Sequence, residues 1–214
     1  AGQTCIAPDY LFVHHSIKDE LIAKIKACFT DMYGNNIKES EFYPRIVNEK
    51  AFDRLHKMMQ QGKIVVGGKT DRANKYIEPT LIDHVTSDFL IMQEEIFGPL
   101  LPIISFEEIN EAIDYINKNE KPLSFYYFGK SKQAKEILQQ ISFGAGCVND
   151  TLIHFANHYL PFGGVGNSGK GVYHGYNSFL AFSNSQGVMK SLNLLDLPFR
   201  YPPFKWFKLV KKVI

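Results

Sequence analysis

The sequence predicts an α/β fold, with a mainly parallel sheet and flanking helices, on three observations. Short apolar runs of strand type alternate with amphipathic helical stretches from residue 10 to residue 149. The connections between them are short, as right-handed β–α–β units require. The 214 residues are enough for one large domain, or one domain with an appendage, and contain no internal repeat or low-complexity tract.

Taken in order, Tyr10–His14 (YLFVH) reads as a strand bounded by Pro8-Asp9. Ser16 is placed as the N-cap of a helix whose apolar positions are Ile17, Leu21, Ile25, Cys28, Phe29 and Met32, with Gly34 closing it. Cys28 is thereby expected on the buried face. Asn48 caps a second helix carrying Phe52, Leu55, Met58 and Met59, and Gly62 ends it. Ile64-Val65-Val66 is a short strand, and Tyr76–Leu81 is extended, with Pro79 restricting it to an edge or a bulge. A strand at Leu101–Phe106, a helix over Glu107–Asn119 and a strand at Ser124–Phe128 follow. A helix over Ser131–Ile141 capped by Ser131, and a strand at Cys147–Asn149, complete the series. Ser178–Ser183 (SFLAFS) reads as a further strand.

Composition narrows the function classes. Apolar residues make up 45% and charged residues 21%, an ordinary globular balance, and a net charge of +2 gives no bulk basicity for nucleic acid. Three cysteines without a C-x-x-C pair or His/Cys ligand spacing argue against a disulfide framework and a zinc site. They favour a reducing compartment, so a cytoplasmic location is expected. No apolar stretch approaches the ~20 residues of a spanning helix, and the N-terminus shows no signal-peptide pattern.

Two stretches invite chemistry. Gly2-Gln3-Thr4-Cys5 places a thiol on a potential turn, where neighbouring backbone N–H groups can favour a thiolate and an oxyanion. On those residues alone, a small apolar packing role for Cys5 stays open. Gly164–Lys170 spells G-x-x-x-x-G-K, but Gly171 stands where a P-loop needs Ser or Thr, and Pro161 interrupts the strand that should precede it. A close-packed glycine turn is the better reading.

Three motifs, in this order, resemble aldehyde dehydrogenases: Gly2-Gln3-Thr4-Cys5, Glu94-Glu95-Ile96-Phe97-Gly98-Pro99, and Pro161–Gly169 (PFGGVGNSG). Thr4–Tyr10, Tyr173-His174-Gly175 and Arg200–Pro203 are similar to the class 3 or fatty-aldehyde branch. Full members of that family open with an NAD(P)-binding Rossmann-type domain. This chain has no G-x-G-x-x-G that opens a helix after a strand and begins inside the cysteine motif, so the resemblance implies the C-terminal catalytic half. It divides the chain into a catalytic domain (1–175), an oligomerisation strand (176–190) and a C-terminal tail (191–214).

The resemblance also assigns roles. Cys5 is implied as the nucleophile that adds to an aldehyde carbon. Glu95 is implied to accept hydrogen bonds from the ribose hydroxyls of NAD or NADP, and Phe97 to pack beside the nicotinamide. On spacing alone, a solvated acidic turn remains open for Glu94-Glu95. Phe155, Ala156 and Phe162 are expected to wall the substrate pocket, which suits medium or long aliphatic, or aromatic, aldehydes. His158, Tyr159 and His174 are read as structural. The strand at 178–189 is implied to pair with a second subunit's sheet, giving a homodimer.

Two readings stay open for the basic, aromatic tail 204–214: a short helix covering the substrate entrance, or weak contact with a membrane surface. A catalytically silent dimerisation module and a cofactor-independent thiol esterase stand as alternatives to aldehyde oxidation.

Overall fold

The computed structural model describes residues 1–192, 194, 201–203 and 211–212. It divides into two compact units, Ala1–Ala181 and Phe182–Ile214. The described residues of the second unit carry no helix or strand. The reading of the tail as helix or membrane contact therefore lies outside the described residues, except for Lys211 and Lys212.

In the first unit the elements run β1 (Leu11–His14), α1 (Lys18–Tyr33), α2 (Glu49–Met59), β2 (Lys63–Val66), β3 (Thr70–Asp71), β4 (Tyr76–Ile77) and β5 (Thr80–Asp83). After these come α3 (Leu90–Gln93), β6 (Leu100–Phe106), α4 (Ile109–Lys118), β7 (Ser124–Tyr127), α5 (Ser131–Leu138), β8 (Ala145–Val148), α6 (Ile153–Ala156) and α7 (Gly175–Ala181). The main sheet has the order β1-β6-β5-β2. β6 pairs in parallel with β1 (Leu11 opposite Ile103) and with β5 (Thr80 opposite Leu100), while β2 runs antiparallel to β5. β7 and β8 form a parallel pair, and β3 and β4 an antiparallel one. The predicted mainly parallel α/β architecture is what the chain adopts.

Successive residues along a strand point to opposite faces, and the core follows that rule. Leu81 and Ile103 join Val13 and Val66 on the face covered by Leu21, Ile22, Ile25 and Phe29 of α1. Their near neighbours Ile82 and Leu100 face the other way, into a larger cluster with Phe52, Leu55, Met58 and Met59 of α2 and Ile91 of α3. A third cluster unites Ile113 and Ile116 of α4, Ile137 of α5 and Ile141 with Phe12, Phe125 and Tyr127.

Several local expectations change. Cys28 and Met32 are exposed, and so is Ile17. At ~100° per residue, Cys28 lies well round the helix from the centre of the Leu21/Ile22/Ile25/Phe29 stripe, and Ile17 and Met32 lie at or beyond the ends of the covered segment. Ser16 does not cap α1; its hydroxyl lies 2.7 Å from His14 Nδ1 within a 3-10 turn that precedes the helix. Asn48 caps α2 as expected, accepting from the Ala51 N–H at 2.8 Å. Ser131 begins α5 without capping it, Lys130 being the N-cap, and the helix stops at Leu138. Pro79 marks neither an edge nor a bulge: it separates β4 from β5, and β5 is flanked by strands on both sides. The register irregularity falls in β2, between Ile64 and Val66.

Ser178–Ser183 is not a strand, because α7 occupies Gly175–Ala181. Tyr176, Phe179 and Leu180 recur at helical spacing, the Tyr176 and Phe179 rings stack at 5.8 Å, and the His174 N–H donates to Ser178 Oγ at 2.9 Å. Residues 182–190 form no strand within the chain.

Candidate active site

Cys5 is exposed on a turn closed by the Ala7 N–H, which donates to the Thr4 carbonyl at 3.0 Å. Two anchors hold this turn. Gln3 Nε2 donates to the Arg45 carbonyl at 3.0 Å, and Gln3 Oε1 accepts from the Val47 N–H at 3.0 Å. From β7, the Tyr126 hydroxyl donates to the Ile6 carbonyl at 2.7 Å. Burial pushes the Tyr126 hydroxyl above its ordinary pKa, so it stays a proton donor at neutral pH.

The cysteine turn meets the Glu95–Pro99 loop backbone to backbone. Gly2 has a φ of +67°, and a Cβ there would lie 2.2 Å from the Gly98 carbonyl oxygen. Only glycine fits that close approach. Gly98 in turn rests on Leu55 of α2, whose side chain a Cβ on Gly98 would meet at 2.5 Å. Asp9 Oδ1 accepts from the Ile96 N–H at 2.9 Å, and Arg54 donates to the carbonyls of Glu95 at 2.9 Å and Ile96 at 2.5 Å. Burial pushes the Asp9 carboxyl up to about 6, with the Glu95 charge adding to the rise and the Ile96 N–H and Arg54 opposing it.

Ile96 is buried in the main core, whereas Glu95 and Phe97 on either side face solvent. Phe97 holds a φ of +52°, an uncommon backbone conformation for a non-glycine residue. An exposed carboxylate beside an exposed ring suits a nicotinamide nucleotide, with the carboxylate free to accept from ribose hydroxyls and the ring free to pack on the base.

The expected pocket wall forms one aromatic cluster. The Phe155 and Phe162 rings meet edge-to-face at 5.0 Å, and Phe162 pairs through both backbone groups with Tyr173 at 2.9 Å. Ala156 ends α6 and is exposed. His174 lies 5.7 Å from Phe155 and 5.9 Å from Phe162, and His158 lies 5.4 Å from His174. The PFGGVGNSG segment is a close-packed glycine turn, since a Cβ on Gly164 would lie 2.2 Å from the Ser168 carbonyl oxygen.

The buried His154 joins this wall to the cysteine turn. Its ring lies 6.2 Å from Phe162 and 5.8 Å from Tyr126, whose hydroxyl holds Ile6. Its nitrogens approach Ser124 Oγ and Cys147 Sγ, each at 3.3 Å, and burial lowers its pKa, keeping it neutral.

The fold thus joins the segment that carries Cys5 to the loop that carries Glu95 and Phe97, through the Gly2–Gly98 contact and the Asp9–Ile96 bond. It links Phe155 and Phe162 to them through Tyr126 and His154. Asp9, Arg54, Tyr126 and His154 were not singled out from sequence. Asp9 offered one signal, an acid beside a strand whose neighbours are apolar; Arg54 offered none. Two surface concavities of about 490 and 410 Å³ lie elsewhere, at Asn35–Lys38 with Lys69–Glu78 and at α5 with Val148. Among the described residues no group of three or more His, Cys, Asp or Glu could hold a metal ion, and no helix is long and apolar enough to cross a membrane.

An exposed thiol tied to a carboxylate-and-ring loop, at the amino ends of two adjacent parallel strands, defines a cysteine-centred site on an α/β scaffold. The chain belongs to the aldehyde dehydrogenase family, which residues 1–188 match. It is 48% identical to the 4,4'-diaponeurosporen-aldehyde dehydrogenase of Staphylococcus aureus, over 99% of this chain and 47% of that protein. It is 44% identical to the aldehyde dehydrogenase family 3 member A2 of Rattus norvegicus, over 94% of this chain and 42% of that protein. A solved structure of the substrate-bound state of Staphylococcus aureus AldH superposes with a TM-score of 0.87 at 46% identity, covering 100% of this chain and 47% of that one. The chain spans about half the length of the curated relatives it matches.

Proposed function

We propose that this chain is the catalytic part of an NAD(P)-dependent aldehyde dehydrogenase, with Cys5 as its nucleophile. The observation that carries this reading is the Gly2–Gly98 contact, which sets the thiol-bearing turn directly against the Glu95–Phe97 loop. Cys5 as thiolate adds to the aldehyde carbon to give a thiohemiacetal, and the Cys5 N–H donates to the developing oxyanion. Glu95 binds the ribose hydroxyls and Phe97 packs beside the nicotinamide end. NAD or NADP, when bound, supplies the two-electron acceptor that aldehyde oxidation needs. Water then displaces Cys5 from the thioester, releasing the carboxylic acid. A thiol suits both ends of this cycle, being nucleophilic near neutral pH and forming a thioester that hydrolyses readily.

In the complete protein, Cys5→Ser is expected to reduce aldehyde oxidation to near background, and iodoacetamide to inactivate the wild type by alkylating Cys5. Full activity in Cys5→Ser would sink the assignment.

The Phe155–Phe162 wall supports medium or long aliphatic, or aromatic, aldehydes as substrates. Equal kcat/KM for acetaldehyde and for a long-chain aldehyde in the complete enzyme would overturn that choice. A homodimer is proposed as well. Its support is the exposed apolar run of Phe182, Val188, Met189 and Leu192, more than a soluble monomer usually leaves in one segment. Three free thiols, Cys5, Cys28 and Cys147, support the proposal of a reducing, cytoplasmic compartment.

A further inference from the structure

Ile96 is fixed at three points, and the two residues beside it are the ones proposed to meet the cofactor. Its side chain is 1% exposed within the main core. Its N–H is held by Asp9, four residues beyond Cys5 on the same segment. Its carbonyl, with that of Glu95, is held by Arg54 from α2. The side chains of Glu95 and Phe97 are exposed, and Phe97 projects from a backbone conformation that persists only where the surroundings over-determine it. The loop therefore owes its position to Ile96, and Ile96 owes its orientation to hydrogen bonds from two directions.

We propose that Asp9 and Arg54 are positioning residues for the nicotinamide-binding loop, forming a clamp that fixes Glu95 and Phe97 relative to the Cys5 turn. This inference rests on the proposed roles of Cys5, Glu95 and Phe97. Because Asp9 belongs to the nucleophile's own segment, its bond to the Ile96 N–H ties the cofactor loop to that segment, alongside the Gly2–Gly98 contact. Arg54 closes the other side of the peptide unit, and its positive charge favours the ionised Asp9 carboxyl, which the negative charge of Glu95 opposes. An N–H donating to a carboxylate makes a stronger bond than one donating to a neutral acceptor. The clamp is therefore strongest when Asp9 is ionised and loosens as Asp9 takes up a proton. The charged or titratable groups that bear on Asp9 are Glu95, Arg54 and its neighbour Tyr10.

The test uses the complete protein that contains this chain, as wild type, Asp9→Asn, Asp9→Ala and Arg54→Lys. Two quantities are read: the dissociation constants for NAD and NADP by titration, and hydrogen exchange of the peptide spanning residues 94–98 without cofactor. Asp9→Ala is expected to weaken cofactor binding about tenfold and to speed exchange at that peptide, as loss of a charge-assisted bond implies. Asp9→Asn keeps an oxygen that can accept from the Ile96 N–H but loses the charge, so its affinity at pH 7.5 is expected to fall between those of the wild type and Asp9→Ala. Lysine at position 54 can reach one carbonyl but not both, and a several-fold loss is expected.

In the wild type, cofactor affinity should fall as the pH drops through about 6, and in Asp9→Asn that fall should be absent. Unchanged affinity in both Asp9→Ala and Arg54→Lys would overturn the clamp. So would an Asp9→Asn protein as weak as Asp9→Ala. If Asp9→Ala does not fold, Arg54→Lys and the pH profile of Asp9→Asn decide in the same way. Cys5→Ala tests the underlying reading separately: turnover that survives it would sink the nucleophile, while cofactor binding in the clamp variants still reports on the clamp.

Discussion

Asp9 carries its charge at a cost to the fold. Burial raises its carboxyl to about 6 from an ordinary 3.8, so between those values the folded chain holds a proton that the unfolded chain releases. Stability contributed by the neutral form is therefore present below about pH 4 and lost as the pH rises through 6. Asp9→Asn should stabilise the protein at pH 8 by on the order of 2 kcal/mol and should add little at pH 4. Urea unfolding at the two pH values checks this, and an equal gain at both would trace the effect to packing instead of charge. The same substitution is expected to weaken cofactor binding while it stabilises the fold, so stability and binding should part company at this residue. The roles proposed for Cys5, Glu95 and Phe97 could be suggested from the sequence because each sits in a short contiguous motif. The clamp of Asp9 and Arg54 could not be, since each acts through a contact 87 or 42 residues away that its own neighbourhood does not show.

Helix α2 is the element on which the Glu95–Pro99 loop, the proposed cofactor loop, rests. Leu55 is fully buried and lies directly beneath Gly98, so it supports both the core and the loop. Leu55→Ala should cost about 2–5 kcal/mol in unfolding experiments, the usual range for a buried leucine whose site cannot collapse. Gly98→Ala adds a methyl where there is no room, and a loss of about 1–3 kcal/mol is expected, with weaker cofactor binding as the loop is pushed off Leu55. A Gly98→Ala protein with wild-type stability and affinity would show that the loop does not depend on this contact. The elements differ in how far sequence revealed them. Asn48 announced α2 because its cap is a local bond, visible three residues away. Ser178–Ser183 suggested a strand because its apolar and polar residues roughly alternate, and six residues fit either period; the helix is marked by the Tyr176–Phe179 stack and by the His174–Ser178 contact. Cys28 was misplaced because helical spacing shows which residues share a stripe, not how wide a stripe the sheet covers.

At the scale of the whole molecule, the segment 182–192 leaves several large apolar side chains exposed. Phe182 is 94% exposed and Met189 83%. If a second copy covers these residues, the complete protein should elute as a dimer at micromolar concentration, and Phe182→Ser with Met189→Ser should shift it toward monomer in light scattering. A wild-type protein that stays monomeric at high concentration would remove the homodimer.

Parallel pairing of β1 with β6 also sets when the site exists. The Cys5 turn leads into β1 and the Glu95–Phe97 loop into β6, which is the last strand of the main sheet in chain order. During synthesis the Cys5 turn is made first, and the amide that Asp9 holds arrives 87 residues later. At roughly 10 residues per second that is a delay on the order of 10 s. Until β6 docks, the cysteine is an ordinary exposed thiol, open to oxidation and to stray electrophiles. Its chemistry gains an address only when the sheet is complete.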